Sequence, residues 1–275
     1  MSVWIIKWGE SFSESYAFGA KVKKEPNSVY YSASMMPVAS KIRTWKAIGS
    51  FAVDRTSPAL PLLLAGEEYH IKALLEADDN ASFELRVDCY DRFGNLIEMF
   101  SNDGLELTFT YPNETVNYEV ALVNKRHKYL YFNYLLISDK ENIDAVKLGP
   151  SAGLLKADDE PTYTIDYLWR QTNIVKRPTG LGLMVQPDIK SLVSGLELMS
   201  EVIQKDAAES ETGAKKLRIL KGINFEKLPE AFHLIPTLLE KINPGLELDT
   251  DIIPDNLSSL GNILKAYTDR NKEHA

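Results

Sequence analysis

One cysteine, Cys89, serves the whole chain of 275 residues, so an intramolecular disulfide and a cysteine metal cage are both excluded. Histidine is scarce as well. His70, His127, His233 and His274 include no pair at metal-ligand spacing, and each reads as a surface residue. No apolar run approaches the roughly 20 residues that span a bilayer. The longest, Leu60 to Ala65 and Tyr129 to Ile137, are strand-sized. The start, Met1-Ser2-Val3-Trp4-Ile5-Ile6-Lys7-Trp8, lacks the basic flank and long apolar stretch of a secretory leader, which predicts a cytoplasmic chain. Cations are in deficit: 31 Lys and Arg against 39 Asp and Glu leave a net charge of −8, so nucleic acid is not the expected partner. There is no Gly-x-Ser-x-Gly elbow and no phosphate-cradling glycine loop. Leu181-Gly182-Leu183, within Gly180 to Met184, has the wrong spacing for one. The expectation is a protein that is not an enzyme, with no catalytic residue, metal or cofactor.

Aromatic residues are present in quantity and unevenly placed. All four Trp, twelve of the thirteen Tyr and eight of the ten Phe lie at or before Trp169. Aromatic and β-branched residues favour strands, so the front of the chain is predicted to be β and the rest helical. Phe83, Leu85, Val87 and Cys89 alternate with Glu84, Arg86, Asp88 and Tyr90, which puts one set on the inner face of a sheet. Arg92-Phe93-Gly94-Asn95 is a turn into a return strand, Leu96 to Phe100. Tyr69 to Leu75, Leu105 to Phe109 and Tyr118 to Leu122 alternate likewise, and Tyr129 to Ile137, apolar on both faces, suits a central strand. Short strands separated by turn signals predict an antiparallel β-sandwich, and a parallel α/β sheet is disfavoured.

Residues 34–66 are punctuated by proline at Pro37, Pro58 and Pro61 and read as an ordered connection, with Ile42, Trp45 and Ile48 at helical spacing for a turn or two. The Pro- and Gly-containing stretch Lys176 to Pro187 reads as a linker. Beyond it, Leu192, Val193, Leu196, Met199 and Ile203 have helical spacing after a cap at Asp188. Leu228 to Ile242 does too, bent or broken at Pro236, and so does Leu257 to Tyr267 after Asp255. The expected layout is a β-sandwich domain over 1–175, a linker over 176–187 and an α-helical C-terminal extension over 188–275.

The acidic pairs Glu67-Glu68 and Asp78-Asp79 lie at strand ends, where carboxylates are usually solvated turn residues rather than an acid–base pair. Cys89 faces inward and reads as core. Trp4, Trp8, Trp45, Tyr30, Tyr31, Tyr111 and Tyr118 are the candidates for a sugar-stacking platform, set against the rule that sandwich cores are rich in aromatics. Trp45, between Arg43 and Lys46, stands out. Trp45, Arg43 and Tyr111 are taken as the candidate partner or glycan contact, with burial of Trp45 in a stripe with Ile42 and Ile48 as the opposing reading.

The order of short motifs over residues 1–137 adds a resemblance. Trp8, Tyr16-Ala17-Phe18-Gly19, Val29-Tyr30-Tyr31, Met35-Met36-Pro37 and Trp45 come first. Ser57-Pro58-Ala59-Leu60-Pro61-Leu62-Leu63, Gly66, Tyr69 and Cys89-Tyr90-Asp91-Arg92 follow. Phe109-Thr110-Tyr111-Pro112, Tyr118 to Asn124 and Leu130-Tyr131-Phe132 close the set. In this order they resemble the third accessory secretory protein of the accessory Sec export system of Gram-positive bacteria. Val38-Ala39 departs from that pattern, because relatives tend to have Gly after the Met-Pro, and this puts the local turn in doubt. The resemblance implies a non-catalytic scaffold subunit with a fold like a carbohydrate-binding module. Its implied partners are the first and second accessory secretory proteins, a SecA-like ATPase and a glycosylated serine-rich-repeat adhesin whose export it assists. It also implies a cytoplasmic location with only peripheral association with the membrane machinery. The alternative is a stand-alone carbohydrate-binding module.

Overall fold

A computed structural model describes residues 2–9, 14–25, 28–48, 58–79, 82–144, 146–148, 152–156, 162–167, 172–176, 181–185, 188–209, 216–222 and 225–273. Two compact units emerge, one of residues 1–144 with 170–176 and one of residues 145–169 with 177–275. The strands of the first are β1 (Ser2–Ile6), β2 (Lys21–Lys24), β3 (Val29–Ser32), β4 (Lys41–Lys46), β5 (Glu68–Ala77), β6 (Phe83–Tyr90), β7 (Leu96–Asp103), β8 (Glu106–Thr110), β9 (Asn117–Asn124) and β10 (Leu130–Ser138), followed by the short helix α1 (Lys140–Asp144). The second unit opens with β11 (Val146–Leu148), β12 (Ala152–Lys156) and β13 (Thr162–Tyr167). The chain then returns to the first unit as β14 (Thr172–Lys176). It finishes with β15 (Leu181–Val185), α2 (Ile189–Glu209), β16 (Lys216–Lys221), α3 (Ile235–Ile242), β17 (Glu247–Thr250) and α4 (Leu260–Glu273). The chain is therefore mainly β, with helices concentrated in its C-terminal part.

In the first unit two antiparallel sheets enclose one core. The four-stranded sheet runs β4-β9-β6-β7. In the seven-stranded sheet β10 is central: β5 flanks one edge, while β3 and β1 share the other, at Leu130 to Phe132 and Leu135 to Ile137. The expected alternation holds in β6, where Phe83, Leu85, Val87 and Cys89 are all buried. The expected hairpin is present too, as β6 and β7 pair across the turn at Asp91 to Asn95. The core holds Trp8, Tyr31, Trp45, Tyr69, Tyr118 and Phe132, the large aromatic area that lets a domain of this size bury a core.

Several expectations need correction. Lys41–Lys46 is a strand paired with β9, not a helical turn. Its register shifts between Lys41 and Arg43. Such a bulge lets Ile42 and Trp45, three residues apart, both reach the core, and so imitates helical spacing. His70 and His127 are buried rather than exposed, whereas His274 lies outside the described residues. The stretch expected as a linker, 176–187, contains β15, and residues 145–169 contribute strands to the second unit.

The second unit is not purely helical. Its sheet runs β11-β12-β15-β13-β16-β17: the pairs β15-β13, β13-β16 and β16-β17 are parallel, and β11-β12 and β12-β15 are antiparallel. Parallel pairing depends on partners far away in sequence, which local alternation does not report. Helix α2 begins as expected, with the Asp188 carboxylate accepting a hydrogen bond from Ser191 N–H at 3.0 Å. It packs closely on β15: a Cβ at Gly195 would meet Leu183 Cδ2 at 3.1 Å. The helical pattern of 228–242 is broken at Pro236 as expected: a 3-10 turn spans Glu230–Leu234, and Pro236 lies in the first turn of α3, where its missing N–H costs nothing. Helix α4 starts at Leu260, five residues after the expected cap at Asp255. No helix among the described residues is long and apolar enough to cross a membrane.

The departure at Val38-Ala39 has a structural consequence. Ser40 N–H donates to Pro37 O at 3.3 Å, closing a turn in which Ala39 adopts φ +64°. That third position of a type II turn favours glycine, because a Cβ there crowds the backbone. The buried Asn124 holds the turn from beneath, its amide donating to Met36 O (3.3 Å) and Pro37 O (3.1 Å). Ala39→Gly is expected to stabilise the protein by about 1 kcal/mol, the relief of left-handed strain exceeding the added unfolded-state entropy. Urea denaturation checks this, and a lower midpoint in the variant would contradict it.

Candidate interaction surface

The three residues picked from the sequence as a contact site are all buried. Trp45 is 1% exposed. Its ring meets Trp8 edge-on at 6.3 Å and Phe132 at 5.2 Å, and its indole N–H donates to Lys7 O at 3.1 Å. Arg43 lies opposite Leu122 on the same bulged strand. Its guanidinium donates to Ser15 Oγ at 3.1 Å and sits 5.8 Å from the Trp8 ring. Burial brings its pKa down to about 10, with Glu14 pulling the other way. Tyr111 packs edge-on against Tyr118 at 5.5 Å, and burial pushes its hydroxyl up to about 12. The expected contact surface is thus corrected: in this fold Trp45, Arg43 and Tyr111 hold the sandwich together and present no free face. Arg43 and Trp45, two residues apart in the regular part of β4, share the face of the strand on which Trp45 enters the core.

Of the acidic pairs, Asp78-Asp79 lies in the loop that follows β5, whereas Glu68 is the first residue of β5, paired with Thr110. Asp78 accepts the backbone N–H of Lys128 at 3.1 Å. Burial pushes its carboxyl up, but backbone hydrogen bonds from Lys128 and Tyr129 outweigh this and hold it below the usual range. Asp79 accepts from Ser82 Oγ at 3.3 Å. Among the described residues no cluster of three His, Cys, Asp or Glu is arranged to hold a metal ion.

Three tyrosines that remain at the surface form a cluster. On the outer face of the seven-stranded sheet, Lys23, Tyr30, Tyr131 and Glu76 stand in one row across β2, β3, β10 and β5. The Tyr30 and Tyr131 ring centroids are 5.1 Å apart with planes inclined at 56°. Tyr129, just before β10, meets Tyr131 edge-on at 6.1 Å. Tyr131 is 37% exposed and Tyr129 40%. Of these only Tyr30 stood among the aromatic candidates read from the sequence. Tyr131 was hidden in a run read as apolar on both faces, and only the β3–β10 register brings it beside Tyr30. Exposed aliphatic side chains lie elsewhere, including Leu62, Leu64, Leu96 and Met99.

A buried polar pair supports the neighbouring loops. His127 is sandwiched between Tyr31 at 5.8 Å and Phe83 at 5.4 Å, with Nδ1 2.7 Å from Asn124 Oδ1. Burial lowers its pKa below 6.5, with Asp78 opposing the shift.

Residues 15–139 match the family described as Accessory Sec secretory system ASP3. An accessory Sec system protein of Streptococcus gordonii is 26% identical over 144 residues, covering 49% of this chain and 91% of that protein. Its counterpart in Staphylococcus aureus is 22% identical over 134 residues, covering 49% of this chain but 42% of that protein. Among solved structures, a chain of the Glycosylation Associate Protein (Gap123) complex of Streptococcus agalactiae is similar in fold over 98% of this chain and 88% of its own. The TM-score is 0.53 at 17% identity. The resemblance carried by the motifs is thereby established for residues 15–139, which lie within the first unit.

Two outcomes follow from this packing. Trp45→Ala is expected to cost about 3–5 kcal/mol of stability, measured by urea denaturation. A change within about 0.5 kcal/mol would return Trp45 to the surface reading. For His127, the unfolded chain binds a proton near pH 6.5 while the folded chain resists it until lower pH. Stability from this group is therefore complete above pH 6.5 and is lost as pH falls through that value toward the lowered pKa. Chemical denaturation between pH 7.5 and about 5 should show that slope, and His127→Phe should remove it.

Proposed function

We propose that this chain, of the accessory Sec ASP3 family over residues 15–139, is a non-catalytic scaffold subunit of an accessory Sec export complex. In that role it assists the transport of a glycosylated serine-rich-repeat adhesin. The observation that carries the reading is the coincidence of the family match with one folded unit: residues 15–139 include the four-stranded sheet, β5, β8 and all of the central strand β10. The Gap123 neighbour is a member of a complex, which supports reading this chain as one subunit among several. The partners proposed are the first and second accessory secretory proteins, then the SecA-like ATPase and the adhesin. The site of action is the cytoplasmic side of the membrane.

A rigid sandwich whose aromatic side chains are largely spent on its own core is suited to holding other subunits in fixed relation. Asp78 and Asp79 accept hydrogen bonds from Lys128 N–H and Ser82 Oγ, and its cysteine is buried with a thiol pushed up to about 11 by that burial, which keeps it protonated at neutral pH. Deleting the protein is expected to trap the glycosylated adhesin inside the cell while general secretion continues, and co-expression should yield a complex with the first and second accessory proteins. Surface display at the normal level in a clean deletion strain would overturn the reading.

A further inference from the structure

We propose that the outer edge of β7 is a strand-accepting site, which pairs with an extended segment of another polypeptide that carries a Lys or Arg flanked by apolar residues. The two ends of the four-stranded sheet are treated differently by the fold. At β4 the outer edge is occupied: Thr44 N–H donates to Glu14 O at 2.9 Å, Tyr16 N–H to Ile42 O at 3.0 Å and Ala59 N–H to Lys46 O at 2.9 Å. At β7 pairing stops. β6 takes one edge, and among the described residues no segment takes the other. The eight residues of β7 extend about 26 Å, and all are exposed except Phe100, which is partly buried. Such an edge holds a row of N–H and C=O groups that a further strand can take up.

Edges are ordinarily blunted by lysine, by proline or by shortness. β7 has no lysine and no proline, and it is as long as β6. Phe100 anchors it: the ring packs against the core, 5.5 Å from Phe109, so the edge is set before a partner arrives. On the sheet face turned away from the core, Met99 stands opposite Asp88 and Leu96 opposite Tyr90, 49% and 51% exposed. Apolar side chains beside an open edge gain from being covered. Charge then selects the occupant. The strand holds two carboxylates, Glu98 and Asp103, and no cation. Asp103 is engaged by Lys125. Glu98, opposite Cys89, has no ion-pair partner among the described residues. A strand laid along β7 therefore fits best with a Lys or Arg facing Glu98 and an apolar neighbour covering Met99. A second copy of β7 supplies no such cation and would bring together two chains of net charge −8, so the occupant is a different polypeptide.

The test uses the full chain with a synthetic strand, so its failure would leave the export reading untouched. Amide hydrogen exchange is followed with the peptide acetyl-Thr-Val-Lys-Val-Thr-Ile-Thr-amide at millimolar concentration. Exchange over Leu96–Asp103 should slow about tenfold, with β4 unchanged. The same peptide with Glu in place of Lys should bind about tenfold more weakly. A version N-methylated at every second residue, in either register, should lose the protection, because it cannot complete the ladder. Glu98→Lys should reverse the preference between the Lys and Glu peptides. Met99→Lys, which guards the edge, should weaken both. Both substitutions are at exposed positions, and melting temperature establishes that the variants are folded. No protection of β7 by the Lys peptide would overturn the proposal, as would equal binding of the N-methylated peptides or of the Glu peptide. Protection of β7 that rises with protein concentration in the absence of peptide would overturn it in favour of a second copy.

Discussion

The strand Leu130–Ser138 is hydrogen-bonded along both edges, and the arrangement of the first unit depends on it. A strand paired on both sides has its backbone donors and acceptors satisfied by neighbours, so its register sets theirs. Here β5 takes one edge throughout, while β3 and β1 divide the other. The irregularity between Phe132 and Tyr134 marks where that division falls. From this strand Phe132 enters the core beside Trp8 and Trp45, while Tyr131, one residue earlier, points to the opposite face and stands beside Tyr30. Core and surface cluster are thus the two sides of one stretch of backbone.

A second constraint works at the end of the sandwich. Asn124 uses its amide for two carbonyls of the Met36-Pro37 turn and its side-chain oxygen for His127. Tyr31 adds a hydroxyl that donates to Tyr16 O at 3.0 Å. Buried polar groups of this kind are stabilising only when satisfied, so together they specify a single path for both loops. Ala39 keeps its left-handed backbone because these bonds over-determine the turn around it.

The second unit obeys different rules. Its parallel strands need crossovers, and α2 and α3 supply them between β15 and β16 and between β16 and β17. The curated Streptococcus gordonii relative matches 49% of this chain, whereas the Gap123 chain is similar in fold across 98% of it. Whatever the second unit contributes is therefore separate from the motifs that carry the family resemblance, all of which lie before Ile137.

The sandwich strands, the β6–β7 hairpin and the Asp188-capped helix were legible in the amino-acid order, because alternation, turn residues and caps act over a few neighbouring positions. The family resemblance was legible for the same reason, as a series of short local motifs. What misled were signals whose meaning depends on distant partners. Ile42 and Trp45 carried a helical interval that a bulge produces, and Trp45, conspicuous between cations, proved to be a core anchor. The parallel sheet of the second unit left little trace because its strands are short and bordered by glycine and proline. The tyrosine cluster was hidden for a related reason. Whether Tyr131 is buried depends on what lies over its face of the sheet, and its nearness to Tyr30 depends on register. Local order determined which segments could become strands and helices; only tertiary pairing, through register and burial, decided which aromatic rings close the core and which face water.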